Sequence, residues 1–241
     1  MSAAPTRRIG TLRETALHAA LKHHLAQPGD QLEVAVDGFV ADVLRADGPD
    51  PLIIEVQTGS FSALKRKLPR LLEHHHVRLA HPIALEKWIV RVDGRGRPLG
   101  RRKSPRRGQL AELFQELVSL PGLMAHPNLT FQVLLVREEE VRAPARRRRR
   151  WGRDYRVADR RLLEVVQAVE FRTPKDFLAF IPVRLPQPFT SRALAEALGV
   201  SVWLGQKITY CLRHMGVLAE AGFERRARLY RVAEGEDGGH E

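Results

Sequence analysis

The sequence has little cysteine and no long apolar run. Cys211 is the only cysteine among the 241 residues, which excludes an intramolecular disulfide and a cysteine-based zinc site and fits a reducing compartment. No run reaches the ~18 apolar residues that span a bilayer, and no apolar stretch follows the two Arg near the amino terminus, unlike a signal peptide. We therefore expect no membrane partner and a cytoplasmic location, associated with the nucleoid if the source is a prokaryote.

Lysine is also scarce, although the chain is strongly basic. The formal net charge is +12 and the pI about 10.7, yet only seven of the 40 basic residues are Lys. A positive balance attracts polyanions, and the planar guanidinium of Arg makes bidentate bonds to phosphate. Codon bias in a GC-rich genome explains part of the Arg excess, but it does not explain the excess of positive charge.

The length exceeds the ~100–200 residues of a usual single domain, so two domains are expected. We predict a first domain over residues 1–141. Its predicted elements are a helix over Thr11–Ala26, strands over Gln31–Val36, Phe39–Arg45 and Leu52–Thr58, a basic helix over Ser62–His75, a strand over Val77–Ile83, strands over Trp88–Asp93 and Leu129–Val136, a basic loop over Arg95–Arg107 and a helix over Gln109–Leu120. Because a helix connects the third and fourth strands, these two are expected to be parallel.

The five consecutive arginines Arg146–Arg150 mark the predicted boundary, since a block of like charges repels itself. They lie in a predicted basic linker, 142–156, which is followed by a second domain over 157–233 and a flexible tail over 234–241. The second domain is predicted to open with a helix around Asp159–Val169. Two helices capped by Thr190 or Ser191 and by Ser201 follow, and a hairpin formed by Val217–Glu220 and Arg228–Val232 ends it.

The segment from Thr190 to Ser201 (TSRALAEALGVS) resembles the helix–turn–helix of winged-helix proteins. In such a motif Ala195 would let two helices approach closely, Gly199 would permit the turn and Ser201 would cap the recognition helix. The resemblance implies an α+β winged-helix domain that binds duplex DNA; the alternative is a winged helix used for protein contacts. The predicted DNA-binding residues are Ser201, Trp203, Gln206, Lys207, Tyr210, Arg213, Arg225, Arg226 and Arg228.

The segments DGFVADV, from Asp37, and IIEVQ, from Ile53, resemble the PD-(D/E)XK nuclease superfamily. Asp42 matches the family's Asp and Glu55 its Glu, whereas Gln57 stands where the family usually has Lys. The resemblance implies an α/β fold with a mixed sheet and a restriction-endonuclease-like α-β-β-β-α-β core. It also implies hydrolysis of phosphodiesters in DNA with Mg²⁺, or alternatively Mn²⁺, as cofactor.

The roles that this resemblance implies fall on a few residues. Asp42, Glu55 and the Val56 carbonyl would bind the metal, because Mg²⁺ prefers hard oxygen ligands. Glu14 would assist from the first helix, and Gln57 would position water or phosphate. The two lysines of the basic helix, Lys65 and Lys67, are candidates for supplying the missing positive charge. Because cutting both strands of a duplex normally requires two active sites, a homodimer is also expected.

Other interpretations of these residues remain open. Glu14 follows Thr11 by three, as in a helix capping box. A structural ion pair with Arg would account for either Asp42 or Glu55. Because Gln cannot act as a base, a catalytically inactive nuclease-fold DNA-binding protein or transcriptional regulator is the main alternative, and an enzyme that acts on RNA is a third.

Overall fold

The protein has a mixed α/β fold with few helices, built around a seven-stranded mixed sheet and a separate three-stranded sheet. The computed structural model describes residues 15–48, 50–145 and 154–233. The large sheet contains β1 (Gln31–Val36), β2 (Phe39–Arg45), β3 (Leu52–Val56), β4 (His76–Val92), β5 (Pro98–Lys103), β6 (Leu129–Pro144) and β7 (Tyr155–Phe171). The small sheet contains β8 (Phe189–Thr190), β9 (Leu218–Glu224) and β10 (Ala227–Val232).

The helices are short. They are α1 (Ala16–Leu25), α2 (Lys67–Leu72), α3 (Phe114–Leu117), α4 (Ser191–Leu198) and α5 (Val202–His214), with 3-10 helices at Phe61–Leu64, Leu110–Leu113 and Pro174–Phe180. Two predicted helices, Ser62–His75 and Gln109–Leu120, are therefore each a 3-10 turn followed by a short α-helix. Among the residues that the structure describes, no helix is both long enough and apolar enough to cross a membrane.

The strand order of the large sheet is β1-β2-β3-β4-β6-β7, with β5 also paired to β4. It confirms the order predicted for the first four strands. Strands β1 to β3 form an antiparallel meander, and β3 and β4 are parallel. The first hairpin turns at Asp37 and Gly38, whose φ angles are +49° and +80°. Positive φ at both central residues is typical of the tight turn that matches the twist of the flanking strands.

The helix predicted around Asp159–Val169 is wrong, because these residues form most of strand β7, which pairs antiparallel with β6. Three register shifts interrupt this pairing and leave Ala158, Leu163 and Val166 without partners opposite them. Each such bulge shifts the apolar residues out of strict alternation. The strand signal was therefore hidden in the sequence, where the spacing of Leu and Val suggested a helix.

The large sheet extends across the predicted linker, 142–156. Strand β6 ends at Pro144 and β7 begins at Tyr155, so the sheet crosses the predicted boundary at residue 141 and ends at Phe171. The arginine run lies outside the described residues, as does the predicted tail. Strand β4 is likewise one continuous strand where two were predicted, and the predicted basic loop contains β5.

Both faces of the inner part of the large sheet, around β3 and the first halves of β4 and β6, are covered. Leu17 and Leu21 of α1 pack against Val56, Ala80 and Leu134 on one face. The larger core lies on the other face and continues into the carboxy-terminal helices, with Ile208 and Leu212 among its fully buried members.

Helices α4 and α5 cross closely at Gly205. A Cβ at this position would lie 2.5 Å from the Ser191 carbonyl oxygen and 2.7 Å from Ala195 Cβ. The small residue expected to permit the approach, Ala195, therefore meets a second small residue on the facing helix.

Candidate functional site

Asp42 lies where strands β2 and β3 separate. The ladder between them ends at the pair Val43–Ile54. One residue further, Asp42 Oδ2 accepts a hydrogen bond of 2.9 Å from the Val56 backbone N–H. The carboxylate thus replaces a ladder partner and lies beside the backbone that carries Glu55.

Glu55 is buried, with 4% of its surface exposed. Its Oε2 accepts a hydrogen bond from Lys67 Nζ at 2.5 Å, while its buried Oε1 has no hydrogen-bond partner among the described residues. Burial raises the pKa of Glu55 to about 7. The Asp42 charge raises this pKa as well, and the Lys67 charge lowers it by less than burial raises it. The Glu55 carboxyl therefore titrates near neutral pH.

Lys67 is the lysine that reaches the carboxylates. It lies at the start of α2, and its ammonium contacts both Glu55 and the Val40 carbonyl oxygen. Lys65 is exposed, and within the described ranges its side chain makes no hydrogen bond or ion pair. The structure therefore brings Asp42, Glu55 and Lys67 together and leaves Lys65 outside.

Gln57 follows the end of β3, and its side chain is engaged in the next loop. Its side-chain Nε2 donates to the Ser60 backbone carbonyl oxygen at 2.8 Å. The backbone carbonyl oxygen of Gln57 lies 2.6 Å from His81 Nδ1. Burial lowers the pKa of His81, so we assign a neutral imidazole that donates through Nδ1–H. Strand β3 ends at Val56, so Gln57 is the first residue of the loop that follows the strand.

His18, which was not predicted as a site residue, lies beside Asp42. Its Nε2 is 3.3 Å from Asp42 Oδ2. Burial opposes ionisation of Asp42, but the hydrogen bond and charge of His18, the Val56 N–H and the Lys67 charge together lower its pKa. The signal available in the sequence was that His18 directly follows Leu17, which belongs to the buried face of the first helix. The ion pair with Arg that was considered for Asp42 or Glu55 is absent among the described residues: Glu55 pairs with Lys67, and the neighbour of Asp42 is the His18 imidazole.

The donor set fits a hard divalent cation that keeps most of its waters. The two neighbouring carboxylates, and the unpartnered Glu55 Oε1 in particular, are oxygen ligands of the type that Mg²⁺ takes one or two at a time. Within residues 15–48, 50–145 and 154–233, no group of three or more His, Cys, Asp and Glu side chains could hold a metal. Glu14, the predicted additional ligand, lies outside the described residues.

A second candidate site is a groove of about 990 Å³ between α5 and the β9–β10 hairpin. Its basic lining residues are Arg192, Arg213, Arg225, Arg226 and Arg228, and Glu224 is its acidic one. Glu220 pairs with Arg213 and Arg228. Arg192, Arg225 and Arg226 make no ion pair with any described residue, so the groove carries unbalanced positive charge.

The nine predicted DNA-binding residues divide between the groove and its surroundings. Gln206, Tyr210 and Arg213 line the groove together with the three hairpin arginines. Ser201 caps α5, because its hydroxyl oxygen accepts a hydrogen bond from the Leu204 N–H. Lys207 donates to the Gln115 carbonyl oxygen at 3.1 Å and lies over the Trp203 ring, which ties α5 to the segment carrying α3.

A family model described as "Domain of unknown function (DUF8091)" matches residues 15–172. The chain belongs to the DUF8091 family. It is 31% identical over 223 residues to an "Uncharacterized protein" of Treponema pallidum (strain Nichols), an alignment that covers 92% of this chain and 87% of that protein. No solved structure matches the chain.

The DUF8091 match contains the carboxylate site but not the groove. His18, Asp42, Glu55 and Lys67 all lie within residues 15–172, which also include the whole large sheet. The groove is formed by residues 190–230, beyond the match. The 223 residues aligned with the Treponema protein exceed the matched region, so that similarity reaches into the carboxy-terminal segment.

Proposed function

We propose that the protein is a metal-dependent nuclease that hydrolyses phosphodiesters in DNA. The observation that carries this proposal is the juxtaposition of two sheltered carboxylates, Asp42 and Glu55, with the ammonium of Lys67. This arrangement follows the Asp, Glu and Lys of the PD-(D/E)XK nucleases that the sequence resembles. The element order α1-β1-β2-β3-α2-β4 agrees with the core of that superfamily.

Each residue has a defined part in this proposal. Asp42, Glu55 and the Val56 carbonyl would hold Mg²⁺, which when bound lowers the pKa of a water and neutralises charge on the phosphate. Lys67 would supply the positive charge that Gln57 lacks, since its ammonium already contacts Glu55. His18 would keep the Asp42 carboxylate ionised and oriented.

The carboxy-terminal groove is proposed to dock the DNA. Two helices, α4 and α5, join through Gly199 in a left-handed conformation, and a hairpin follows them. This arrangement resembles a winged helix–turn–helix, in which the second helix enters the major groove. Unpaired arginines at the hairpin tip suit phosphate contacts, which give affinity rather than sequence choice.

A second candidate function is DNA binding without cleavage. It is favoured by Gln57, whose amide is bound to Ser60, and by the pairing of each carboxylate with a basic side chain of the protein itself. On this alternative Lys67 and His18 stabilise a site that no longer takes a metal.

Cleavage of labelled DNA separates the two functions. Duplex, supercoiled and single-stranded substrates are incubated with Mg²⁺, Mn²⁺ or EDTA. We expect metal-dependent products that fall by at least about 10²-fold in Asp42→Asn and Glu55→Gln, the effect of removing one group that stabilises transition-state charge. Glu73→Gln, at an exposed carboxylate on the end of α2, is the matched control. Tight binding without products under any metal would favour the non-cutting protein.

The groove makes a separate prediction about binding. Replacing Arg192 and Arg226 by Ala should weaken duplex binding and reduce the slope of log K against log salt by about 2, since each phosphate contact contributes ~0.9. Lys175→Ala with Arg184→Ala removes the same charge from exposed positions outside the groove and should leave the slope nearly unchanged. Equal slopes for the two double variants would exclude the groove as the DNA surface.

A further inference from the structure

The large sheet has an outer half that extends beyond the carboxylate site. Strand β3 pairs with β4 only as far as Ala80, whereas β5 pairs with β4 from Trp88 onward. Beyond the core, the sheet therefore consists of β5, β4, β6 and β7. A small apolar cluster of Val92, Val141 and Ala143 lies within this half.

One face of the outer half collects basic side chains from all four strands. Alternate residues of a strand share a face, and the registers align Arg91 with Arg142, Ile89 with Arg102 and Glu140 with Arg160. The basic members of this face, which we call the arm face, are Lys87, Arg91, Arg102, Arg142 and Arg160.

Positive charge on the arm face is only partly balanced. Glu138 pairs with Lys87 and Arg160, and Glu140 pairs with Lys87 and Arg142. Exposed Arg91 and Arg102 form no ion pair with any described residue. Arg91 is moreover the direct neighbour of Arg142, and like charges at adjacent strand positions are destabilising. An anion above them would relieve this repulsion.

The opposite face of the same strands differs. There Arg101 pairs with Glu139, Lys103 with Glu86, and Arg137 with both Glu86 and Glu164. Arg161 pairs with Asp159 as well, so most basic side chains of this face are neutralised by neighbouring acids, and Arg156 is the one without an ion pair to a described residue. General basicity of the chain does not account for this asymmetry.

The arm face continues into a polar pocket of about 430 Å³ that reaches the loop after β3, although none of His18, Asp42, Glu55 and Lys67 lines it. Lys87, Arg142 and Arg160 line this pocket together with Thr58 and Ser60, which belong to the loop that follows Glu55. Arg160 also donates to the Thr58 carbonyl oxygen at 3.1 Å. A chain of basic side chains thus runs from Arg102 to the loop that follows β3, the strand that carries Glu55.

We propose that the arm face is a second nucleic-acid surface, which binds the phosphate backbone of a DNA strand beside the carboxylate site. It is distinct from the carboxy-terminal groove, being formed by other strands in the first 160 residues. That this strand is the one to be cut rests on the proposed nuclease function; the binding itself does not.

The test measures binding without cleavage. Fluorescence anisotropy with labelled duplex and single-stranded DNA is recorded in EDTA, in a background carrying Arg192→Ala and Arg226→Ala. Adding Arg91→Ala and Arg102→Ala should lower affinity at low salt by about tenfold and reduce the salt slope by about 1–2. The matched control is Arg97→Ala with Arg101→Ala, which removes the same charge from arginines that are ion-paired.

Each outcome decides the matter. Loss of binding in the Arg91 and Arg102 variant alone supports the arm face. No loss in either variant, equal loss in both, or displacement of DNA by polyglutamate at equal charge concentration overturns it. Arm-dependent binding by a wild-type protein that cleaves nothing would retain the arm face and reject the nuclease. Cleavage by a protein whose DNA binding is unaffected by Arg91→Ala and Arg102→Ala would retain the nuclease and reject the arm face.

Discussion

Relative to wild type, Glu55→Gln is expected to stabilise the protein by about 2.5 kcal/mol more at pH 8.5 than at pH 5. The pKa of Glu55 is raised to about 7 by burial, from an ordinary 4.5. A carboxyl whose folded pKa is raised contributes stability that is present below pH 4.5 and is lost as pH rises through 7. Gln does not titrate and avoids this loss. Urea unfolding of both proteins across pH 5 to 8.5 measures the difference.

A control substitution and the effect of Mg²⁺ test whether this difference comes from Glu55. Glu73→Gln alters an exposed carboxylate whose partner is Arg70, so its effect should not change across the same range. If the site takes Mg²⁺, the ion should raise the free energy of unfolding of wild type at pH 8.5 but not that of Glu55→Gln, because a ligand stabilises only the state that binds it. A pH-independent difference between wild type and Glu55→Gln would show that Lys67 keeps Glu55 ionised throughout.

Phe177→Ala is expected to cost about 3–5 kcal/mol of unfolding free energy, the usual loss for a buried Phe replaced by Ala. Phe177 is 1% exposed and stacks on Phe171 at 4.5 Å between ring centroids. It also meets Phe114 and Phe131 edge to face. Its ring therefore joins β6, β7 and α3, and its removal would leave a cavity among the rings of Phe114, Phe131 and Phe171.

Denaturant unfolding monitored by circular dichroism measures this loss. Leu178→Ala changes the next residue of the same 3-10 helix, where the side chain is 38% exposed, and should cost under about 1 kcal/mol because surface substitutions have small effects. Similar losses for the two substitutions would contradict the packing of the aromatic cluster. DNA binding of Phe177→Ala at low temperature would show whether the groove survives the cavity.

Local patterns predicted the first three strands and the position of the carboxylates within them. Alternation identifies β1 and β2, and the Asp37-Gly38 turn sets their pairing. Once β2 pairs with β3, Asp42 necessarily lies near Glu55, because the register of neighbouring residues follows from the ladder. Strand β7 was mistaken for a helix because bulges, which form only against β6, disturb its alternation.

The sequence by itself therefore determined the α/β character, the order of elements up to β4, the excess of positive charge and the Asp42–Glu55 pair. Only the tertiary structure decided which basic side chain meets each acid, namely Lys67 for Glu55 and His18 for Asp42. It also decided that Gln57 turns to Ser60 and that Arg91 lies beside Arg142. These contacts depend on how separate elements pack, and their energy comes from burial and neighbouring charge, which no local pattern of residues records.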